Sequence, residues 1–149
     1  MRYINQAGLD IIKEFEGLRL TAYLCPNDVP TIGWGHTKTV LLKDVGFKSI
    51  SELEAEKLLR KDVSEAEAAV FRAVNVPTTD NQFSALVSWT FNLGSGNLRR
   101  STMLKRINEN HLEVVPYEMK RWNRSGGKVL AGLRRRRAAE ATLFTNSYL

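Results

Sequence analysis

With 149 residues, 43% hydrophobic and 26% charged, the chain has the make-up of one compact soluble domain that buries about 70% of its unfolded surface. One cysteine excludes an internal disulfide, the two histidines and one thiol lack metal-site spacing, and no apolar run approaches a membrane span. A formal charge of +6 points to a polyanionic partner, for which nucleic acid, anionic lipid and an acidic bacterial wall all qualify.

Asn5 is placed to cap a helix over Gln6 to Glu16, where Leu9, Ile12 and Phe15 recur at helical spacing and Gly17 supplies the stop. Leu20 to Leu24 and Thr31 to His36 flank a Pro/Asn/Asp turn and read as a β-hairpin, with a third short strand over Thr39 to Leu42. Ser51 and Glu54 form a capping box. Behind them, apolar residues repeat at three and four from Ala55 to Ala73, giving the longest helix of the chain, ended by Pro77. Thr79 and Gln82 offer a second box before a helix that is apolar nearly all round, hence buried, up to Gly94. Ser101 caps a helix through Asn110. Glu113 to Trp122 and Leu133 to Phe144 are further helices, separated by a flexible Ser125-Gly126-Gly127 loop. The expected architecture is α+β. A small lobe with a β-hairpin (approximately 14–50) is joined by a long helix (approximately 52–74) to a larger helical lobe (approximately 75–149), with a cleft between the lobes.

Three residues could carry chemistry together. Glu16 stands at a helix C-terminus, where the carbonyl ends disfavour a second negative charge, a setting suited to a general acid that keeps its proton. It reads equally well as a solvated helix-end glutamate. Cys25 and Thr31 bracket the hairpin turn, so their side chains can meet at its base. The hydroxyl could hold a water; the thiol could polarise that water or be a small buried hydrophobe, and it is mostly neutral unless a basic neighbour helps. Asp28 could instead supply a carboxylate, although the turn itself calls for Asp or Asn there. Asp62 falls on the apolar face of the long helix and needs a partner, for which His36 is the candidate, as a structural pair rather than a catalytic one. The Arg134 to Arg137 run reads as mostly solvated, with one or two members free to face the cleft. Trp34, Trp89 and Trp122 could stack on sugars, though core packing suits Trp89 better.

Together these residues resemble the phage-type lysozymes, the endolysins of glycoside hydrolase family 24. That family carries Glu, eight residues, Asp or Cys, five residues, then Thr; Glu16, Cys25 and Thr31 fit without a gap. Thr31-Ile32-Gly33-Trp34-Gly35-His36-Thr37 is similar to the family's Thr-Ile-Gly-aromatic-Gly-His-Thr block. Asn81 to Ser88, Phe91 to Gly94 and Ser101 to Leu104 resemble its central helices. Gly132-Leu133 with Arg136, Arg137 and Glu140 resembles its C-terminal signature.

The resemblance implies hydrolysis of the β-1,4 bond between N-acetylmuramic acid and N-acetylglucosamine in peptidoglycan, without a cofactor or metal. Glu16 would then protonate the leaving oxygen, while Cys25 and Thr31 serve the water side, with inversion as the usual outcome. His36 and Asp62 match a structural pair. Cys25 stands where aspartate is more usual. The expectation is a monomer, made in the host cytoplasm, that lyses the wall from the periplasm after release through a separate pore protein, since Met1 to Gln6 lacks the apolar core of a secretory signal. No nucleic-acid partner and no stable membrane insertion are expected. The competing readings are a lytic transglycosylase and a non-catalytic basic protein that binds wall or nucleic acid.

Overall fold

The structure, a computed structural model, describes residues 1–146. Its elements are α1 (Gln6–Glu16), β1 (Arg19–Leu24), β2 (Pro30–Gly33), a 3-10 turn (Leu42–Asp44), α2 (Glu52–Ala73), α3 (Asp80–Leu93), α4 (Ser95–Arg100) and α5 (Thr102–Asn108). A second 3-10 turn (Leu112–Val114), α6 (Val115–Lys120), β3 (Arg124–Ser125), β4 (Lys128–Val129) and α7 (Ala131–Thr145) complete the order. The chain divides into two compact units, Glu16–Ser64 and Met1–Phe15 with Glu65–Leu149, so each takes part of α2.

In the first, the hairpin unit, β1 and β2 pair antiparallel with Tyr23 opposite Thr31 and Leu24 opposite Pro30. The place of a third strand is taken by residues 46–50, not by Thr39 to Leu42. Ala22 donates to the Lys48 carbonyl at 2.8 Å, Ile50 to that of Leu20 at 2.9 Å, and Gly46 to that of Ala22 at 2.8 Å. In Thr39 to Leu42 the backbone donors are engaged locally instead of in a ladder. The Val40 N–H donates to the Thr37 carbonyl at 3.3 Å, and the Leu41 N–H donates to the Asp44 carboxylate at 2.9 Å. β2 also stops at Gly33, short of the expected His36. Ile32 and His36 exchange backbone hydrogen bonds at 2.9 Å each, closing a tight reversal that needs positive φ at Gly33 (68°) and Gly35 (80°). The unit's core is small: Ala22, Ile32 and Val40, with Ile50 and Leu58 against them.

The second, helical unit is built on α3. Residues Phe83 to Thr90 of α3 are buried without a break, as a helix apolar nearly all round requires. The helix packs on α7, which in turn packs on α6. Its start is fixed by a complete capping box. The Gln82 N–H donates to the Thr79 hydroxyl at 3.0 Å, and the Thr79 N–H to the Gln82 side chain at 2.9 Å. Asn5 caps α1 through the Gly8 N–H at 3.0 Å, and Ser51 and Glu54 form the box at the head of α2. Such caps each contribute about 1 kcal/mol.

Ser101 makes a corner. Its hydroxyl accepts from the Leu104 N–H at 3.0 Å and donates to the Leu98 carbonyl at 2.7 Å, separating α5 from α4, a helix the Gly94-Ser95-Gly96 stretch conceals in sequence. The loop expected to be flexible around Gly126 is a hairpin turn. Its β3 and β4 pair Arg124 with Val129 and Ser125 with Lys128.

Candidate active site

The hairpin turn builds the first half of the site. Cys25 donates its N–H to the Val29 carbonyl at 3.1 Å, and the Asp28 N–H donates to the Cys25 carbonyl at 2.8 Å. Asp28 is exposed with φ at 59°, a left-handed conformation that Asp tolerates, so its position belongs to the turn. Thr31 faces Tyr23 across the ladder, and Cys25, two residues beyond Tyr23, lies on that same face. The turn therefore brings thiol and hydroxyl together, as their bracketing of it requires.

Cys25 is half-buried, and its environment favours the thiolate. Backbone N–H groups of Val29 and then Asn27 donate toward the sulfur, and the Thr31 hydroxyl adds a smaller contribution. These outweigh desolvation and the nearby Asp28 carboxylate, so the pKa is lowered. The stabilisation expected from a basic neighbour comes instead from peptide dipoles. Thr31 is buried to 3% exposure, and its hydroxyl donates to the Val29 carbonyl at 2.8 Å. That proton lies between two acceptors, the carbonyl and the sulfur. The 2.8 Å bond to the carbonyl engages it, leaving the oxygen lone pairs to accept.

Glu16, the last residue of α1, lies against the Gly33–His36 reversal. A Cβ at Gly35 would stand 2.9 Å from the Glu16 Oε1, closer than any side chain permits. Gly35 is thus favoured by its φ, and a side chain there would displace the Glu16 carboxylate. Sequence reading saw this glycine only as part of a block. It stands four positions after Thr31, so the backbone at the two positions is at most about 14 Å apart.

His36 leaves the same reversal buried. Its Nδ1 meets the Asp62 Oδ2 at 2.8 Å, and its Nε2 meets the Thr39 hydroxyl at 2.7 Å. With the proton on Nδ1, the imidazole donates to the carboxylate and accepts from Thr39, which satisfies both ring nitrogens. Thr39 is the partner that sequence reading missed.

The arginine run departs from expectation. Arg134 and Arg135 are exposed, but Arg136 and Arg137 are buried on α7 around Glu140. Ser88 donates to the Glu140 Oε2 at 2.6 Å, Arg137 Nη2 donates to it at 3.2 Å and to Asn92 at 2.9 Å, and Arg136 Nε donates to it at 3.3 Å. Arg137 Nε approaches the Glu140 Oε1 to 2.7 Å as a charge contact rather than an aligned hydrogen bond. Burial pushes the Glu140 carboxyl up, more than Arg137, Ser88 and Arg136 offset. The signal was present in sequence: Glu140 stands four residues from Arg136 and three from Arg137, both on one helical face.

Trp34 and Trp89 are buried, and half-buried Trp122 meets Trp89 edge-to-face at 5.3 Å, so Trp89 is a core residue. Among the described residues no group of His, Cys, Asp and Glu is arranged to hold a metal ion, and no helix is long and apolar enough to cross a membrane.

These positions can be set beside known proteins. An endolysin of Bacillus phage B103 is 46% identical over 95% of this chain, which spans about half (53%) of that relative's length. An endolysin from Escherichia coli O157:H7 phage FAHEc1 superposes with a TM-score of 0.87 at 40% identity, covering 99% of this chain and 95% of that one. The muramidase domain of SpmX from Asticaccaulis excentricus superposes with a TM-score of 0.85 at 39% identity, covering 96% and 98%. The Phage lysozyme family model matches residues 13–140, the span from the end of α1 through Glu140. The chain belongs to the phage lysozyme family.

Proposed function

We propose that the protein is a peptidoglycan hydrolase that cleaves the β-1,4 bond between N-acetylmuramic acid and N-acetylglucosamine and lyses a bacterial host. The observation that carries this reading is the pairing on one hairpin face of a thiol biased toward its anion with a hydroxyl whose proton is already committed to the Val29 carbonyl.

Thr31 then offers lone pairs, not a proton, to a water. Cys25 as thiolate accepts that water's departing proton. A water held by two acceptors presents its own lone pair outward, toward an anomeric carbon. Glu16 supplies a proton to the leaving oxygen, and attack from the opposite face inverts the centre. His36, held by Asp62 and Thr39, keeps the Gly33–His36 reversal in the shape that receives Glu16. No cofactor enters these steps. Membership of a family whose named relatives are endolysins supports the wall as substrate. On this reading the protein acts as a monomer, made in the host cytoplasm and released to the wall through a separate pore protein.

The deciding measurement is the mass of the products from purified peptidoglycan. Hydrolysis adds one water per cut, and Glu16→Gln abolishes it while the circular dichroism spectrum is unchanged. Anhydro-sugar products would replace this reading with a lytic transglycosylase. Full clearing of wall suspensions by Glu16→Gln would leave a non-catalytic basic protein.

A further inference from the structure

Arg2 pairs with Asp80, Arg60 with Glu56, Arg106 with Glu109, Arg121 with Glu118, and Arg136 and Arg137 with Glu140. Arg72, Arg99 and Arg100 differ from these six. Among the described residues none of the three has a carboxylate partner, and the side-chain bond of Arg100 goes to the neutral Asn97 at 2.7 Å. Arg99 links the other two. Arg99 Nη2 and Arg100 Nη1 lie 4.0 and 3.4 Å from the point where a Cβ on Gly96 would stand, so both guanidinium groups border that position. Arg72 and Arg99 both line a cavity of about 380 Å³ within the helical unit, with Ser95 at its edge.

Like charges held together without a counter-charge cost free energy that an anion would recover. The arginines stand in the last turns of α2 and α4, where helix carbonyl ends offset part of that cost in the unliganded protein. Guanidinium groups bind phosphate through paired N–H donors.

The cavity wall narrows the choice of ligand. Beside Arg72 and Arg99 it is lined by Ala69, Ala73, Leu98 and Leu104, all aliphatic, and by no aromatic ring; Arg100 stands outside the lining. Stacking of bases, the usual device for single-stranded nucleic acid, is therefore missing. The lining presents no exposed large apolar side chain to enter a bilayer. A chain of small aliphatic spacers joined by single-charged phosphates fits both features. The spacer rests on Leu98 and Leu104, and successive phosphates meet the arginines.

We propose that Arg72, Arg99 and Arg100 form an anchoring site for a polyol-phosphate polymer of the bacterial envelope. As an anchor for a wall enzyme, this rests on the hydrolase reading given above.

The test uses the full chain and a fluorescein-labelled glycerol-phosphate oligomer of about ten repeats, followed by anisotropy across a salt series. Arg72→Gln, Arg99→Gln and Arg100→Gln are each expected to weaken binding severalfold and to lower the log–log salt slope by about 0.7, as for loss of one phosphate contact on a flexible chain. Leu104→Asn is expected to weaken binding with the slope unchanged. Arg134→Gln, at an exposed arginine outside the cavity, should match wild type.

Equal losses from Arg134→Gln and the three site variants would reduce the effect to overall charge and overturn the proposal. So would a DNA oligonucleotide of equal charge, or phosphatidylglycerol vesicles, binding as tightly with the same dependence on the three arginines. Cutting of polymer-free peptidoglycan is measured beside it. All the site variants should cut as wild type does, whereas a wild type that fails to cut overturns the hydrolase reading and leaves the binding result standing.

Discussion

The two units of this protein divide charge and the candidate site between them. The hairpin unit holds seven basic and seven acidic residues; the helical unit holds 15 basic and nine acidic, hence the whole net charge of +6. Glu16, Cys25, Thr31, His36 and Asp62 all belong to the neutral unit, which has the smaller core and the barest surface, with Phe47 86% exposed. Its geometry is set by turns, side-chain caps and positive-φ glycines. The helical unit is held by a continuous buried helix and a buried ion group. Thr31 and His36 are buried, yet both are fixed by turn and side-chain hydrogen bonds rather than by an apolar core, so the candidate site is positioned by the hairpin's turns.

That contrast can be broken by substitution, and the largest effect is expected at Glu16. Glu16→Gln should lower turnover about 10²–10⁴-fold and leave the thermal midpoint unchanged. Residual clearing within tenfold of wild type would remove Glu16 from the acid role. Glu140→Ala should do the reverse. It removes the one carboxylate that Arg136 and Arg137 share in their buried setting, costing about 3–5 kcal/mol, read as a shift of the urea midpoint. A cost below 1 kcal/mol would show that the ion group is not what holds α7.

Gly35→Ala joins the two readouts. The strained φ and the displaced Glu16 carboxylate should cost about 1–3 kcal/mol and at least tenfold in turnover. Loss of stability with full activity would uncouple the reversal from Glu16.

The smallest effect, at Cys25, is one of pH. Its lowered pKa means that alkylation by iodoacetamide should reach half its limiting rate at a lower pH in the folded protein than in the urea-unfolded chain. The sign for folding follows. Ionisation of the thiol favours the folded state, so its contribution is present above the unfolded thiol's pKa and lost as pH falls through the lowered one. If the thiolate takes the water's proton, the rise of activity with pH should move to lower pH in Cys25→Asp. An unmoved profile would make the thiol a bystander.

Much of this was legible in sequence because it is written in local chemistry. Asn5, Ser51 with Glu54, and Thr79 with Gln82 cap the helices they precede, Gly17 follows α1 with φ at 73°, and the hairpin turn brings Cys25 to Thr31. What failed to show depends on side chains satisfying the backbone at a distance from any pattern. Thr39 to Leu42 has the composition of a strand, but Asp44 captures its N–H. α4 hides behind two glycines. β3 and β4 are two residues each, too short for alternation to register. The burial of Arg136 and Arg137 was readable only with Glu140 counted on the same face, because a run of four arginines otherwise looks like solvated charge.

The segregation of charge bears on how often one molecule would cut before it leaves. On the proposed function, attraction between the basic helical unit and an anionic wall would set the residence time and would be screened by salt, with a Debye length of about 8 Å at physiological ionic strength. The neutral hairpin unit feels little of that screening. Raising ionic strength should then shorten the run of successive cuts along one strand while each cut keeps its rate. Processivity would become a property of the medium, and turnover a property of the hairpin.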